Sequence, residues 1–326
     1  MSEIRLDANE FPLPLPPEVQ AELVAAWGAL ETNRYPDPGF KLLRRELGES
    51  FGLNEDEVTC ATGGDELIEN LILAFTPEAG TVVYPEPTFS SFSATAKLLR
   101  RKSAVLPLPP PFTFDCRDLL KISGDLLFLA WPNNPTGVLY PEEEAFALLR
   151  DWPGISVLDE SYWEFSGRSL LERRIELPRT LFLRTFSKGL RLAGCRVGYV
   201  FGPPDLIRRL HRQKLYYNLP APSITAARIV WRHRELIWRA IPELCTRRDE
   251  TVRRLNEIPG IIAYPSAANF VLFRVMNAPA VHEQLRAQGL HIRRFHDRIA
   301  ADHLRVTIGT EDEMHTFITA LQGISP

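Results

Sequence analysis

Between residues 61 and 202 the chain alternates short, nearly unbroken apolar runs with amphipathic stretches. The runs are TVVY (81–84), LLFLAW (126–131), ISVL (155–158), TLFLRTF (180–186) and VGYVFG (197–202), and each ends in polar or turn-forming residues. Apolar runs without alternation, separated by helical patterns, predict strands of a parallel sheet buried on both faces. Between them, ATGGDELIENLILAF (61–75) places Leu67, Ile68, Leu71, Ile72 and Phe75 on one face of a helix that opens on glycines. From about Pro222 to Leu255 the texture changes to long charged helices. A strand–helix–strand pattern then follows: AANFVLFR (267–274), a helix ending before Gly289, LHIRR (290–294) and LRVTIG (304–309). The expected architecture is α/β, a mostly parallel sheet in a large three-layer domain over residues 30–225. A smaller α+β domain is expected over 226–326, joined by residues 1–29.

Proline and glycine mark the breaks. The chain holds 27 prolines, clustered in PLPLPP (12–17) and PLPPP (107–111), which predict loops; NRYPDPGF (33–40) predicts an irregular connection after a helical pattern over 18–30. The formal net charge is −3, and basic clusters such as Arg100-Arg101-Lys102 are balanced by acids, so a nucleic-acid surface is not expected. The longest apolar runs are far too short to span a bilayer, and MSEIRLDANE offers no basic region followed by an apolar one. The expectation is a cytoplasmic protein with no membrane partner. Four cysteines lie far apart without a CxxC pair, and seven histidines show no HxxxH or HExxH spacing. Reduced thiols and no metal site are expected.

In a parallel sheet, ligands sit beyond the carboxyl ends of the strands, which directs attention to four stretches. Thr62-Gly63-Gly64-Asp65 would let backbone approach an anion at a helix N-terminus, though the same glycines could form a plain turn. No GxGxxG or GxxxxGK[ST] occurs. Asn134, in WPNNPTG, offers an amide to a ligand oxygen or simply completes an Asn-Pro turn. Asp159 ends an apolar strand, where a bare carboxylate needs a cation or donors to stay ionised, and Tyr162 follows three residues later. In LRTFSKGLRLAGCRVGY (183–199), Thr185, Ser187 and Arg196 suit a phosphate, and the small Gly189, Ala193 and Gly194 would let the loop fold back. Lys188 among them is either a desolvated, nucleophilic amine or the ion-pair partner of Asp159. Together these groups ask for a ligand with a phosphate, a carbonyl and a basic nitrogen, which describes pyridoxal 5′-phosphate.

With these residues in view, the whole chain resembles the fold-type I pyridoxal-phosphate enzymes. It most resembles the histidinol-phosphate aminotransferases of class I/II and their relatives the threonine-phosphate decarboxylases. LDANEFP, RYPDP, TGGDELI, YPEPTF, PNNPTG, DESYWEF, TFSKGLRLAGCRVGY, ANFVLFR, IRR and LRVTIGT occur in that order. The resemblance implies that Lys188 bonds the cofactor aldehyde and Asp159 pairs with the ring nitrogen. Tyr162 and Asn134 would contact the 3′-oxygen, and Phe89 would stack on the ring. Gly64, Asp65, Thr185, Ser187 and Arg196 would hold the phosphate, with Tyr35 reaching it from the other subunit of a homodimer. On the substrate side it implies Arg305 for an α-carboxylate, Arg293 and Asn269 beside it, and Asn9 with Phe11 at the entrance. Phe11 stands where the family often has tyrosine. The activity implied is transamination between histidinol phosphate and 2-oxoglutarate, a step of histidine biosynthesis; a threonine-phosphate decarboxylase or a broad or aromatic amino-acid aminotransferase is the alternative, and a cofactor-binding module without turnover is not expected because the lysine is retained.

Overall fold

The computed structural model describes residues 3–295 and 301–324. Its strands are β1 (Ile4–Leu6), β2 (Val58–Ala61), β3 (Thr81–Glu86), β4 (Lys102–Pro107), β5 (Leu126–Ala130), β6 (Ile155–Asp159), β7 (Thr180–Thr185), β8 (Gly198–Phe201), β9 (Ile261–Ala263), β10 (Phe270–Val275), β11 (Leu290–Arg294) and β12 (His303–Thr307). Seven of them form one sheet in the order β2-β8-β7-β6-β5-β3-β4, and five form another in the order β1-β11-β12-β10-β9.

The unbroken apolar runs lie at the centre of the larger sheet, where every residue of β5 and β7 is buried. Pairing is parallel from β4 through β3, β5 and β6 to β7. VGYVFG departs from the pattern, because β8 runs antiparallel to both β7 and β2. The connection from Thr185 to Gly198 holds only a single turn of 3₁₀ helix, too little for the crossover that a parallel return requires. Each face of the sheet carries its own core. Leu67, Ile68, Leu71 and Ile72 of the helix Gly63–Phe75 pack with Phe92, Phe128 and Leu183 on one side. Leu127, Leu129, Phe182, Tyr199 and Trp231 lie on the other.

The smaller sheet is antiparallel except for β1, which adds in parallel to the edge of β11, Ile4 opposite Leu290. The N-terminal 29 residues therefore divide their contacts. β1 belongs to the smaller sheet, whereas Val19 and Leu23 of the helix Pro17–Gly28 join the core of the larger one. Between them, residues 7–16 form a strap without regular structure that crosses the gap between the sheets.

Candidate active site

A cavity of about 430 Å³ opens where the carboxyl ends of β5, β6 and β7 face β11 and β12 of the smaller sheet. It is lined by Asn9, Gly64, Asp65, Phe89, Asn134, Asp159, Tyr162, Thr185, Ser187, Lys188, Arg196, Arg293 and Arg305 among others. These thirteen sequence candidates, drawn from segments scattered over nearly three hundred residues, share one wall-to-wall space. Three candidates lie elsewhere. Tyr35 is 80% exposed and stacks on Tyr217 with ring centroids 4.5 Å apart. Phe11 faces Phe165 and Arg191, and Asn269 is fully buried behind the cavity wall.

At one end the cavity meets the start of the helix Gly63–Phe75, whose first amide groups have no partner within the helix. Gly63 has φ +79°, and a Cβ there would stand 2.6 Å from Arg196 Nη2; one on Gly198 would stand 2.7 Å from the Gly63 carbonyl carbon. These two glycines, rather than Gly194, let the loop close on the helix. A Cβ on Gly194 would meet nothing, whereas one on Gly189 would stand 2.8 Å from Glu164 Cδ, so Gly189 lets the loop pass close to that side chain. Arg196 Nη2 donates to Asp65 Oδ2 at 3.2 Å, its Nη1 lies 3.4 Å from Ser187 Oγ, and Thr185 Oγ1 accepts from the Ser187 amide at 3.0 Å. Two hydroxyls, a guanidinium and a helix N-terminus thus converge on one spot.

Strand alternation sends Asp159 and Glu160 to opposite faces of the sheet. Glu160 is fully buried beneath it and accepts from Arg184 Nε and Nη2 at 2.9 and 2.7 Å. Asp159 faces the cavity, 5% exposed, and its Oδ1 accepts from the amide and hydroxyl of Ser161 at 2.9 and 2.5 Å. No cation pairs with it among the described residues. Burial raises its pKa to about 6 against the pull of the Ser161 bonds.

Lys188 does not pair with Asp159. Its Nζ donates to the carbonyl of Ala8 at 3.0 Å and lies 5.8 Å from the Tyr162 ring centre. Burial, then the charge of Arg305, lowers its pKa to about 7. Tyr162 Oη accepts from Asn9 Nδ2 at 2.8 Å, and burial raises its phenol to about 12. The phenol therefore keeps its proton and is free to donate it into the cavity.

In WPNNPTG the two asparagines separate. Asn133 is consumed internally, its amide donating to Pro87 O and Thr136 Oγ1 at 3.0 and 2.8 Å, which fixes the loop. Asn134 lines the cavity, and its Oδ1 accepts from Arg305 Nη1 at 2.5 Å, leaving the amide hydrogens available. Arg305 Nη2 donates to Asp7 O at 2.8 Å, and Arg305 Nε is buried without a partner. Arg293 stands opposite Arg305 in register, so both side chains leave the smaller sheet on the same face. Asn269 holds the strap from behind, Nδ2 donating to Asn9 O at 3.0 Å.

This set fits pyridoxal phosphate. An amine short of hydration, a buried carboxylate without a cation and an anion cradle that a Cβ on Gly63 would obstruct match an aldehyde, a basic ring nitrogen and a phosphate in turn. Sequence reasoning missed Ser161, Asp7, Ala8, Arg294 and Phe295 on the cavity wall. Ala8 contributes only a carbonyl, which leaves no side-chain signal, and Arg294 was hidden beside Arg293. Among the described residues no group of histidine, cysteine or acidic side chains could hold a metal ion, and no helix is long and apolar enough to cross a membrane.

The family model for aminotransferase class I and II matches residues 2–321. The histidinol-phosphate aminotransferase of Thermococcus gammatolerans is 36% identical over 324 residues, covering 99% of this chain and 92% of that protein. Histidinol-phosphate aminotransferase 2 of Nitrosococcus oceani is 35% identical over 332 residues, covering 98% and 91%. Among solved structures, the histidinol-phosphate aminotransferase of Sinorhizobium meliloti in complex with pyridoxal-5′-phosphate superposes with a TM-score of 0.91. It is 24% identical, and the match covers 99% of this chain and 90% of that one.

Proposed function

The chain belongs to the class I and II aminotransferases, and on that premise we propose that it passes the amino group of histidinol phosphate to 2-oxoglutarate, using pyridoxal phosphate. The observation that carries this reading is the presence, in one cavity, of the Lys188 amine and the buried Asp159 carboxylate, the first bonded to the Ala8 carbonyl and the second to Ser161 and neither to the other. The histidinol-phosphate aminotransferases to which the chain is similar over nearly its whole length support the choice of donor.

When bound, the cofactor supplies an aldehyde that condenses with amines and a ring that takes up negative charge from the substrate Cα. Lys188 would bond the aldehyde at rest and, once released, carry the proton at Cα. A pKa of about 7 leaves roughly half of it as free base at neutral pH. Asp159 would hold a proton on the ring nitrogen, an ion pair that relieves its own burial. Tyr162 and Asn134 would donate to the 3′-oxygen. Phe89 would stack on the ring, and Gly64, Asp65, Thr185, Ser187 and Arg196 would hold the phosphate. Arg305 would fix the α-carboxylate of the amino-acid partner and orient its Cα–H bond. Arg293 would receive the distal anion, and Asn9 and Asn269 would shape the same side. Histidinol phosphate, which lacks a carboxylate, would present its phosphate to these arginines. Tyr35 lies outside the cavity of its own subunit, which suits a role across the interface of a homodimer.

The decisive assay supplies purified, cofactor-loaded protein with histidinol phosphate and 2-oxoglutarate and measures glutamate. Absence of glutamate, or CO₂ release from threonine phosphate without any 2-oxo acid, would overturn the substrate assignment. The cofactor assignment is tested separately by Lys188→Ala, which should remove the visible absorption band of the lysine-bound cofactor.

A further inference from the structure

The strap over residues 7–16 has no hydrogen-bond ladder of its own, so its carbonyls accept from side chains. Asp7 O takes Arg305, Ala8 O takes Lys188, Asn9 O takes Asn269 and Pro14 O takes Arg191. Asn9 is also held through its amide, which donates to Thr307 Oγ1 at 2.9 Å. Two of these donors, Lys188 and Arg305, are the groups that the proposed reaction redirects to cofactor and substrate. Once they are engaged, Asn269 and Thr307 secure the strap at Asn9, and Arg191 secures its far end.

Arg191 is built for that task. Its backbone sits at φ +59°, a conformation side chains other than glycine rarely adopt, and its amide donates to Lys188 O at 3.1 Å. Its Nη1 donates to Pro14 O at 2.6 Å and its Nη2 to Ile237 O at 3.0 Å, while the guanidinium lies 4.2 Å from the centre of the Phe11 ring. One side chain thus joins the lysine loop, the strap and the helix Arg234–Trp238. The ring of Phe11 carries partial negative charge on its face, which attracts a cation, so it serves as the seat for the guanidinium. Arg191 lies outside the cavity lining.

We infer that Arg191, seated on Phe11, is a positioning residue that locks the strap to the lysine loop and so sets Ala8 and Asn9 over Lys188 and Tyr162. The inference rests on the reading of Lys188 as the cofactor lysine. It also assigns Phe11 a place under the guanidinium instead of a contact at the entrance. A loosened strap would admit water to Lys188, whose surroundings carry the charges of Arg305, Glu10, Arg196 and Asp65.

The test compares wild type, Arg191→Lys and Arg191→Ala as cofactor-loaded proteins. Lysine keeps the cation but satisfies only one of the two carbonyls. KM for the amino donor should rise about tenfold in Arg191→Ala, the scale of a lost charge-assisted hydrogen bond. It should rise less in Arg191→Lys, with kcat changed by less than KM. The pH midpoint of the visible band should move in the same order, and Phe11→Ala should reproduce the shift without adding to it in the double variant. Variants that lose only thermal stability, with KM and band midpoint at wild-type values, would overturn the inference. If Arg191→Ala does not fold, Arg191→Lys and Phe11→Ala decide by the same two readouts. A wild type with no lysine-dependent band would instead refute the cofactor reading itself.

Discussion

Asp159 and Glu160 are adjacent acids with opposite fates, and the difference is testable at the level of one side chain. Glu160 has its cation in Arg184; Asp159 has only Ser161, and burial raises its pKa to about 6. A carboxylate whose folded-state pKa lies above its unfolded value binds more protons when folded between those two values. Its charge therefore destabilises the cofactor-free fold fully above about pH 6, and the cost fades as pH falls towards 3.8. Asp159→Asn should stabilise the cofactor-free protein at pH 8 by on the order of 2 to 3 kcal/mol and have little effect near pH 4. Thermal melts across that range check it, and equal shifts at both ends would refute it. The same variant should lower turnover by at least about a hundredfold, because an amide cannot keep a ring nitrogen protonated as a carboxylate does. Asp159 was legible in the sequence because an acid ending an apolar run is conspicuous. Glu160 was not, because its partner lies 24 residues away and only the alternation of β6 and β7 brings them face to face.

The helix Gly63–Phe75 and strand β8 meet through glycine on both sides, and that contact shapes the phosphate end of the cavity. Gly63→Ala places a Cβ in a left-handed backbone position and 2.6 Å from Arg196 Nη2. The backbone strain alone costs roughly 1 to 2 kcal/mol. Displacement of the guanidinium should in addition weaken cofactor retention by about tenfold, the scale of one charge-assisted contact. Titration of the visible band against added cofactor measures this, and retention equal to wild type would show that Arg196 does not depend on Gly63. The central strands and this helix were readable in advance, because burial on both faces leaves β5 wholly apolar and β7 with the apolar run Leu181-Phe182-Leu183 at its centre, and the helix keeps its five apolar positions on one face. The margins were not. β4 alternates towards exposure, β1 and β9 span three residues each, and the direction of β8 is set by a short connection rather than by its composition.

At the scale of the whole molecule, the proposed division is a larger unit over 30–225 and a smaller one built from 1–29 and 226–326, of which residues 1–2, 296–300 and 325–326 lie outside the described structure. The helix Pro17–Gly28 packs with the larger sheet, so the strap is where the chain changes allegiance. The surface bears on assembly. Tyr35, Leu215 and Tyr216 are 80%, 79% and 88% exposed, an apolar group of a kind that marks interaction sites. It lies close to the phosphate end of the cavity in bonding terms: Thr62 Oγ1 donates to Asn218 O at 2.6 Å, and Asn218 Nδ2 to Glu66 Oε1 at 2.5 Å, both at the start of the helix Gly63–Phe75. An interface formed there would brace the cradle from outside and bring the partner's copy of the patch towards it. In the proposed homodimer, Leu215→Asp with Tyr216→Asp should therefore halve the mass seen by sedimentation velocity and, in the same preparation, loosen the cofactor by about tenfold, since charges buried in an apolar interface are strongly unfavourable. Tyr35→Phe separates the two effects, because it removes a hydroxyl without adding charge. It should leave the mass unchanged and weaken cofactor retention alone. A double-aspartate variant that keeps wild-type mass would place the interface elsewhere, and a monomer that retains cofactor as tightly as wild type would mean that each subunit completes its own phosphate site.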